Sequence, residues 1–290
     1  MYSSSVTTSI NLSGIVSLFS LIDNTRIILL RAFNQVDGKK VLIIGGSGFI
    51  GTEAVQYALS KQLSVVNFDT QAPKILEQQL FWKYIDIRDY FSFSEALKEF
   101  APTHILHLAA KTGMDIKYKS FFDANTKGVE NLIKASFSLK ELKRIIFTSS
   151  LLVCKNGHVP EKDTEYCPSN LYGESKVCGE KMVRESNLSC EWVIVRPTSV
   201  WGPWFEHSYR DFFKMIDRGW FIQPGRNPII KPISFVGNSV YMMLKLLFYE
   251  DKTISQQTYY LVDYPEFSIQ QWADLIRSHL GKQGKTVILP

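Results

Sequence analysis

Val41-Leu42-Ile43-Ile44-Gly45-Gly46-Ser47-Gly48-Phe49-Ile50-Gly51 is the stretch whose reading decides the fold. Val41 to Ile44 is short and wholly apolar, as a strand buried on both faces requires. Beyond it Ile50, Ala54, Tyr57 and Ala58 recur at i, i+4, i+7 and i+8, which predicts a helix. The glycines between permit a tight turn and a close approach of backbone to a pyrophosphate, which the helix N-terminus stabilises. Gly45, Gly48, Phe49, Ile50 and Gly51 are therefore candidate cofactor contacts. A second strand-like run, Ser64-Val65-Val66-Asn67-Phe68, ends at Asp69, 18 residues after Gly51. A carboxylate there can accept hydrogen bonds from the adenosine ribose hydroxyls. Its charge would repel a 2′-phosphate, and no Arg or Lys follows until Lys74, so NAD rather than NADP is expected.

Outward from this unit, strand-like and helix-like patterns alternate from Lys39 onward, the signature of βαβ units and a parallel sheet. Strands are expected at 82–85, 103–108, 144–148 and 192–195, and helices at 92–100, 121–138 and 172–184. After Arg196 come loops carrying Pro203, Pro224, Pro228 and Pro232, with helices near 209–218, 239–249 and 269–280. The expected fold is α/β, a Rossmann-type doubly wound parallel sheet over 39–196, with a smaller C-terminal substrate-binding lobe over 197–290. Residues 1–38 form an N-terminal extension.

The 290 residues, 45% hydrophobic and 21% charged, suit a globular enzyme and exclude a disordered or low-complexity chain. The net charge of +5 is scattered, and its densest patch, Lys111, Lys117 and Lys119, is broken by Asp115, so no nucleic-acid partner is expected. Cys154, Cys167, Cys178 and Cys190 form no CxxC pair and show no neighbouring His in a recognised ligand spacing. No metal or disulfide is expected, and the thiols read as reduced in a cytoplasmic protein. Ile15 to Ile22 and Ile27 to Leu30 are apolar, but Asp23, Asn24 and Arg26 interrupt them and residues 1–13 hold no Lys or Arg. That argues against a membrane span or signal peptide; peripheral anchoring and a helix packed on the enzyme stay open as alternatives.

Tyr172-Gly173-Glu174-Ser175-Lys176 puts a tyrosine and a lysine on one face of a helix. An ammonium there can lower the phenol and let the tyrosine exchange a proton with a substrate hydroxyl. Ser149-Ser150, after the expected fifth strand, can supply a hydroxyl to the same site.

With these motifs the chain resembles the extended short-chain dehydrogenase/reductase family, the NAD-dependent nucleotide-sugar epimerases and dehydratases. The likeness runs from about Lys39 to Pro290. It includes the glycine turn, Asp69, Asp86-Ile87, His107-Leu108-Ala109-Ala110, Asn125 and Ser149-Ser150. Tyr172, Lys176 and Arg196-Pro197-Thr198-Ser199-Val200-Trp201-Gly202-Pro203 follow in order. The resemblance implies Tyr172 as general acid/base and Ser150 as the hydroxyl that polarises the reacting oxygen. Lys176 would orient the nicotinamide ribose. Asp86, Ile87, Ala109, Ala110 and Pro197 would border the cofactor, and Lys111, Ser150, Ser199 and Lys231 the substrate. Asn125 would shape its helix and a water relay. A homodimer is expected, and many relatives continue past the strand-like Thr286-Val287-Ile288-Leu289, where a further helix would follow.

The departures choose among reactions. Val153-Cys154-Lys155 replaces the usual Val-Tyr-Gly, so Cys154 is either a reactive thiol or a loop cysteine. Ser199 and Lys231 stand where Asn and Arg often contact the substrate phosphate. Leu151 and Leu152 occupy the positions at which 4,6-dehydratases carry acids, which disfavours dehydration and leaves a 4-epimerase as the leading reading. A sugar reductase, a hydroxysteroid-type dehydrogenase and a non-catalytic NAD-binding protein are the alternatives. Trp201, Trp204, Phe205, Phe212, Phe213, Trp220 and Phe221 are expected mainly in the core, with stacking on a base or sugar as the other reading.

Overall fold

The computed structural model describes residues 38–205 and 209–289. The expected N-terminal extension lies almost wholly on residues 1–37, outside the described residues. Seven strands, β1 (Lys40–Ile44), β2 (Ser64–Asp69), β3 (Trp82–Tyr84), β4 (His104–His107), β5 (Arg144–Thr148), β6 (Glu191–Pro197) and, later in the chain, β10 (Thr258–Leu261), form one sheet. Its order is β10-β6-β5-β4-β1-β2-β3, parallel throughout.

The apolar run at β1 is explained by its two faces. Val41 and Ile43 join a core with Ala54, Val55 and Ala58 of helix α1 (Phe49–Ser60). Leu42 and Ile44 join the opposite core, with Phe93 and Leu97 of α2 (Tyr90–Phe100) and Val129 and Leu132 of α3 (Lys127–Ser136). Burying each such aliphatic side chain contributes roughly 1.5–3 kcal/mol, so neither face can turn to water. Helix α4 (Leu171–Glu185) adds Val183 to the second core.

The contiguous lobe expected over 197–290 is divided. Residues 232–264 belong to the same compact unit as 38–204, whereas 205, 209–231 and 265–289 form a smaller one. The reason lies in Val240, Met243, Leu244 and Leu247, which stand at i, i+3, i+4 and i+7 of α6 (Val236–Leu247) and are at most 1% exposed. That stripe seals the α1 side of the sheet, and β10 then adds to its β6 edge. A short parallel pair, β7 (Ser199–Trp201) with β9 (Ile233–Phe235), lies within this unit.

The smaller unit contains α5 (Arg210–Asp217), β8 (Trp220–Pro224), α7 (Ile269–His279) and β11 (Lys285–Leu289), with β8 and β11 parallel. A two-stranded ribbon is marginal alone. Here aromatic packing supports it: Phe212 stacks on Trp272 with ring centroids 4.8 Å apart, and Phe213, Phe221 and Tyr209 close around them. Ser268 and Gln271 form a capping box at the start of α7. Of the seven aromatics singled out by sequence, Trp201 and Phe221 are buried, while Trp204 and Trp220 are exposed. Among the described residues no helix is long and apolar enough to cross a membrane.

Candidate active site

The carboxyl ends of β1, β2, β4, β5 and β6 share one edge of the sheet, where an open parallel sheet forms its ligand crevice. The turn after β1 is built for contact. Gly45 has φ +89°, and a Cβ there would lie 2.5 Å from the Ala109 nitrogen; one on Gly51 would lie 2.1 Å from the Gly45 carbonyl oxygen. Those two glycines let the turn fold on itself and on the 109 segment. Gly48 differs, since a Cβ would meet only the Gly45 oxygen, at 3.4 Å. It is the N-cap of α1 and carries no side-chain cap, and no acidic residue stands in the first turn. The positive end of the α1 dipole therefore meets no acidic side chain of its own first turn, which suits an anion such as a pyrophosphate. Ile50, by contrast, packs against the α1-side core.

Asp69 closes the same turn. Its Oδ2 accepts the Ser47 N–H at 3.0 Å and its Oδ1 the Gln71 N–H at 2.9 Å. Burial pushes this carboxyl up, while the backbone donors and the nearby Lys111 charge oppose that. A carboxylate has about four acceptor positions, so these backbone donors leave room for a ribose hydroxyl. Lys111 as a cation near Asp69 was not visible in sequence, where the two stand 42 positions apart. The Asp86 carboxyl is lowered by Arg88, whose Nε and Nη2 donate to it at 3.0 and 2.6 Å. Ile87 is buried against Gly128 of α3, and its carbonyl accepts the Asn131 amide.

Ser150, Tyr172 and Lys176 are brought together by the packing of one turn on one helix start. Ser150 caps the 3-10 turn Leu151–Val153, its Oγ accepting the Leu152 N–H at 3.1 Å. Asn170 caps α4 by accepting the Gly173 N–H at 2.8 Å. A Cβ on Gly173 would lie 2.3 Å from the Leu152 carbonyl oxygen, so only glycine lets α4 approach the serine turn this closely. One residue earlier stands Tyr172, whose phenol is pushed up by burial, the neighbouring Ser150 hydroxyl working against that push. The lowering of the phenol expected from Lys176 is a correction: burial dominates and raises Tyr172. Lys176 is spent elsewhere, its Nζ donating to the Thr148 carbonyl at 2.9 Å and lying 6.0 Å from the Tyr172 ring centroid. Burial pulls its ammonium down to about 8, with Glu180 opposing.

One supporting residue, Glu180, escaped the sequence reading. Glu180 continues the Tyr172, Lys176 face at the next i+4 step, a spacing that could have revealed it. It binds Arg196 through two hydrogen bonds, at 2.9 and 2.8 Å, and accepts from the Tyr166 hydroxyl at 3.0 Å. Asn125 clamps the 111 backbone, accepting the Lys111 N–H at 2.7 Å and donating to its carbonyl at 2.9 Å, and also donates to Ser175 of α4. His107 is buried and pulled down to about 3, so its imidazole is neutral. With Asn125, Thr148, Ser149 and Lys176 it lines a cavity of about 20 Å³, the size of a single water site.

Ala110 follows the 109 backbone that seats Gly45. Pro197 ends β6, in register with Leu261. Ser199 is engaged in β7, its N–H donating to the Pro232 carbonyl at 3.3 Å. Lys231 belongs to the smaller unit, where its Nζ lies 5.0 Å from the Tyr209 ring centroid. Cys154 is buried and its thiol pushed up, the opposite of an activated nucleophile. All four cysteines are free thiols, and Cys154 and Cys167 sit side by side in an isolated parallel bridge.

Sheet order, glycine turn and strand-end carboxylate define the extended short-chain dehydrogenase/reductase class. Residues 41–219 match a family model, and the chain belongs to the NAD dependent epimerase/dehydratase family. It is 30% identical over 261 residues to the N-acetyl-α-D-glucosaminyl-diphospho-ditrans,octacis-undecaprenol 4-epimerase of Escherichia coli O157:H7, covering 86% of this chain and 75% of that one. It is 30% identical over 192 residues to the UDP-glucose 4-epimerase of Vibrio cholerae, covering 62% of this chain and 58% of that one. The fold is also that of the Thermus thermophilus UDP-glucose 4-epimerase solved with NAD, with a TM-score of 0.68 and 22% identity over 85% of each chain.

Proposed function

We propose that this chain is a 4-epimerase of a sugar carried on a nucleoside diphosphate, with NAD held as a recycled cofactor. The observation that carries this reading is the gathering of Ser150, Tyr172 and Lys176 while Leu151 and Leu152 fill the positions where dehydration requires acids. The two relatives agree on 4-epimerisation of a diphosphate-linked sugar, the carrier being undecaprenol in one and uridine in the other.

The glycine turn and the first N–H groups of α1 would hold the cofactor pyrophosphate, Asp69 the adenosine ribose and Lys176 the nicotinamide ribose. Bound NAD would supply a ring able to accept a hydride from the sugar carbon and deliver it to the opposite face of the resulting ketone. Tyr172 Oη takes the proton of the reacting hydroxyl and gives it back. Burial raises the phenol, which favours Tyr172 as the donor that returns the proton to the keto oxygen. To accept the first proton it must start as the phenolate, the form that the nearby Ser150 hydroxyl favours. The Ser150 hydroxyl donates to the same oxygen and holds its charge down. Leu151 and Leu152 add no proton donor, so the sugar leaves with its hydroxyls intact.

The test is to incubate purified chain with UDP-glucose and with UDP-N-acetylglucosamine, without added nicotinamide, and follow the C4 epimers by NMR. Conversion with no net change in nicotinamide absorbance is expected, and Tyr172→Phe should lower it by about 10²–10⁴-fold while NAD binding persists. Nicotinamide consumed in step with product would make the enzyme a reductase. Unchanged turnover in Tyr172→Phe would remove the tyrosine from the chemistry.

A further inference from the structure

We propose that Cys154, His158 and Cys167 form a structural site for one divalent zinc-type cation, pinning the loop that follows the serine turn. One ligand atom from each of the three side chains lies within 4.8 Å of the other two. A tetrahedral ion with Zn–S about 2.3 Å and Zn–N about 2.0–2.1 Å needs its ligands somewhat closer, so the side chains must draw in by about an ångström. The backbone is already arranged for that. The Cys167 N–H donates to the Val153 carbonyl at 3.0 Å and the Lys155 N–H to the Cys167 carbonyl at 2.9 Å, which fixes the two cysteines as neighbours. The His158 N–H donates to the Lys155 carbonyl at 3.2 Å, curling the loop so that the imidazole returns toward the thiols.

The imidazole has the outer partner that a metal-binding histidine ordinarily has. Glu165 Oε1 lies 2.6 Å from His158 Nε2, and its Oε2 accepts the Glu161 N–H at 2.7 Å, so the carboxylate is itself held in place. Two soft sulfurs and one imidazole select zinc-like ions over magnesium or calcium. On binding, the two thiols coordinate as thiolates and release their protons to solvent, and water takes the fourth corner. A disulfide would use the two sulfurs but leave the convergence of His158 and its Glu165 partner without a role. Beyond the loop, the Asp163 carbonyl accepts from Arg196 Nη2 at 2.6 Å and Tyr166 donates to Glu180 at 3.0 Å. A cation closing 154–167 would therefore brace the buried pair under the catalytic helix without touching the reacting atoms.

The full chain, purified without a polyhistidine tag in a thiol reductant, is titrated with cobalt(II) and assayed for zinc by elemental mass spectrometry. The expected result is one cobalt per chain, with thiolate charge-transfer and tetrahedral d–d absorption, displaced stoichiometrically by zinc. Glu165→Gln should weaken uptake by roughly 10–100-fold, the usual effect of losing an outer partner, and His158→Ala should weaken it more. His158 is partly exposed, so this variant should fold and bind NAD as the wild type does; Cys167→Ser is the second ligand variant. No stoichiometric cobalt uptake by reduced wild type, uptake indifferent to His158→Ala, or a Cys154–Cys167 disulfide in reductant-purified chain would each overturn the site.

Discussion

Lys176 shows how a single residue is given a cost and a use by its surroundings. Its stem is buried in α4, its ammonium donates to the Thr148 carbonyl, and burial lowers it from 10.5 to about 8. The folded chain therefore holds this proton less firmly than the unfolded chain does. The cost of burial is fully present below about pH 8 and is relieved as pH rises toward 10.5, amounting to on the order of 3 kcal/mol. Lys176→Met removes the titration. In urea denaturation the wild type should gain stability relative to that variant between about pH 7 and pH 10, and a flat difference would show that the ammonium is solvated. The YxxxK spacing in the sequence predicts the pairing of Tyr172 with Lys176 on one helix face. The direction of the phenol shift was not legible there, because burial is a property of everything packed around the ring.

At the scale of elements, the 3.6-residue periodicity of α6 identified a helix but not its owner. A helix among proline-bearing loops read as part of a substrate lobe, yet its stripe of Val240, Met243, Leu244 and Leu247 completes the α1-side core. Leu244→Ala should accordingly cost about 2–5 kcal/mol in chemical denaturation, as a core cavity does, whereas a lobe residue facing a ligand would cost far less and alter KM instead. The serine turn and α4 teach the same lesson from the other side. Each was visible in sequence, and Gly173 explains how closely they meet, but no periodicity says which carbonyl a glycine will face.

For the whole molecule, cofactor binding is a stability term, since a ligand that binds only the folded chain raises its stability by about 2.7 kcal/mol at a hundredfold excess over Kd. The role proposed for Asp69, accepting from the adenosine ribose hydroxyls, favours a ribose without a 2′-phosphate. NAD should thus raise Tm measurably and NADP much less, with Asp69→Ala narrowing the gap; equal shifts by the two cofactors in the wild type would show that Lys111, whose charge reaches Asp69, offsets the carboxylate.

By itself the sequence determined the parallel α/β sheet, the glycine turn with its acidic strand end, and the identity of the three residues proposed for the chemistry. It could do so because these features are local: a continuous apolar run, a helical period, a turn that tolerates no side chain. Only the tertiary structure decided where 232–264 belongs, which charges surround Asp69 and Tyr172, and that Cys154, His158 and Cys167 converge. Those outcomes depend on distances between residues far apart in the chain, and pairing, burial and electrostatics act through space, where sequence separation carries no information.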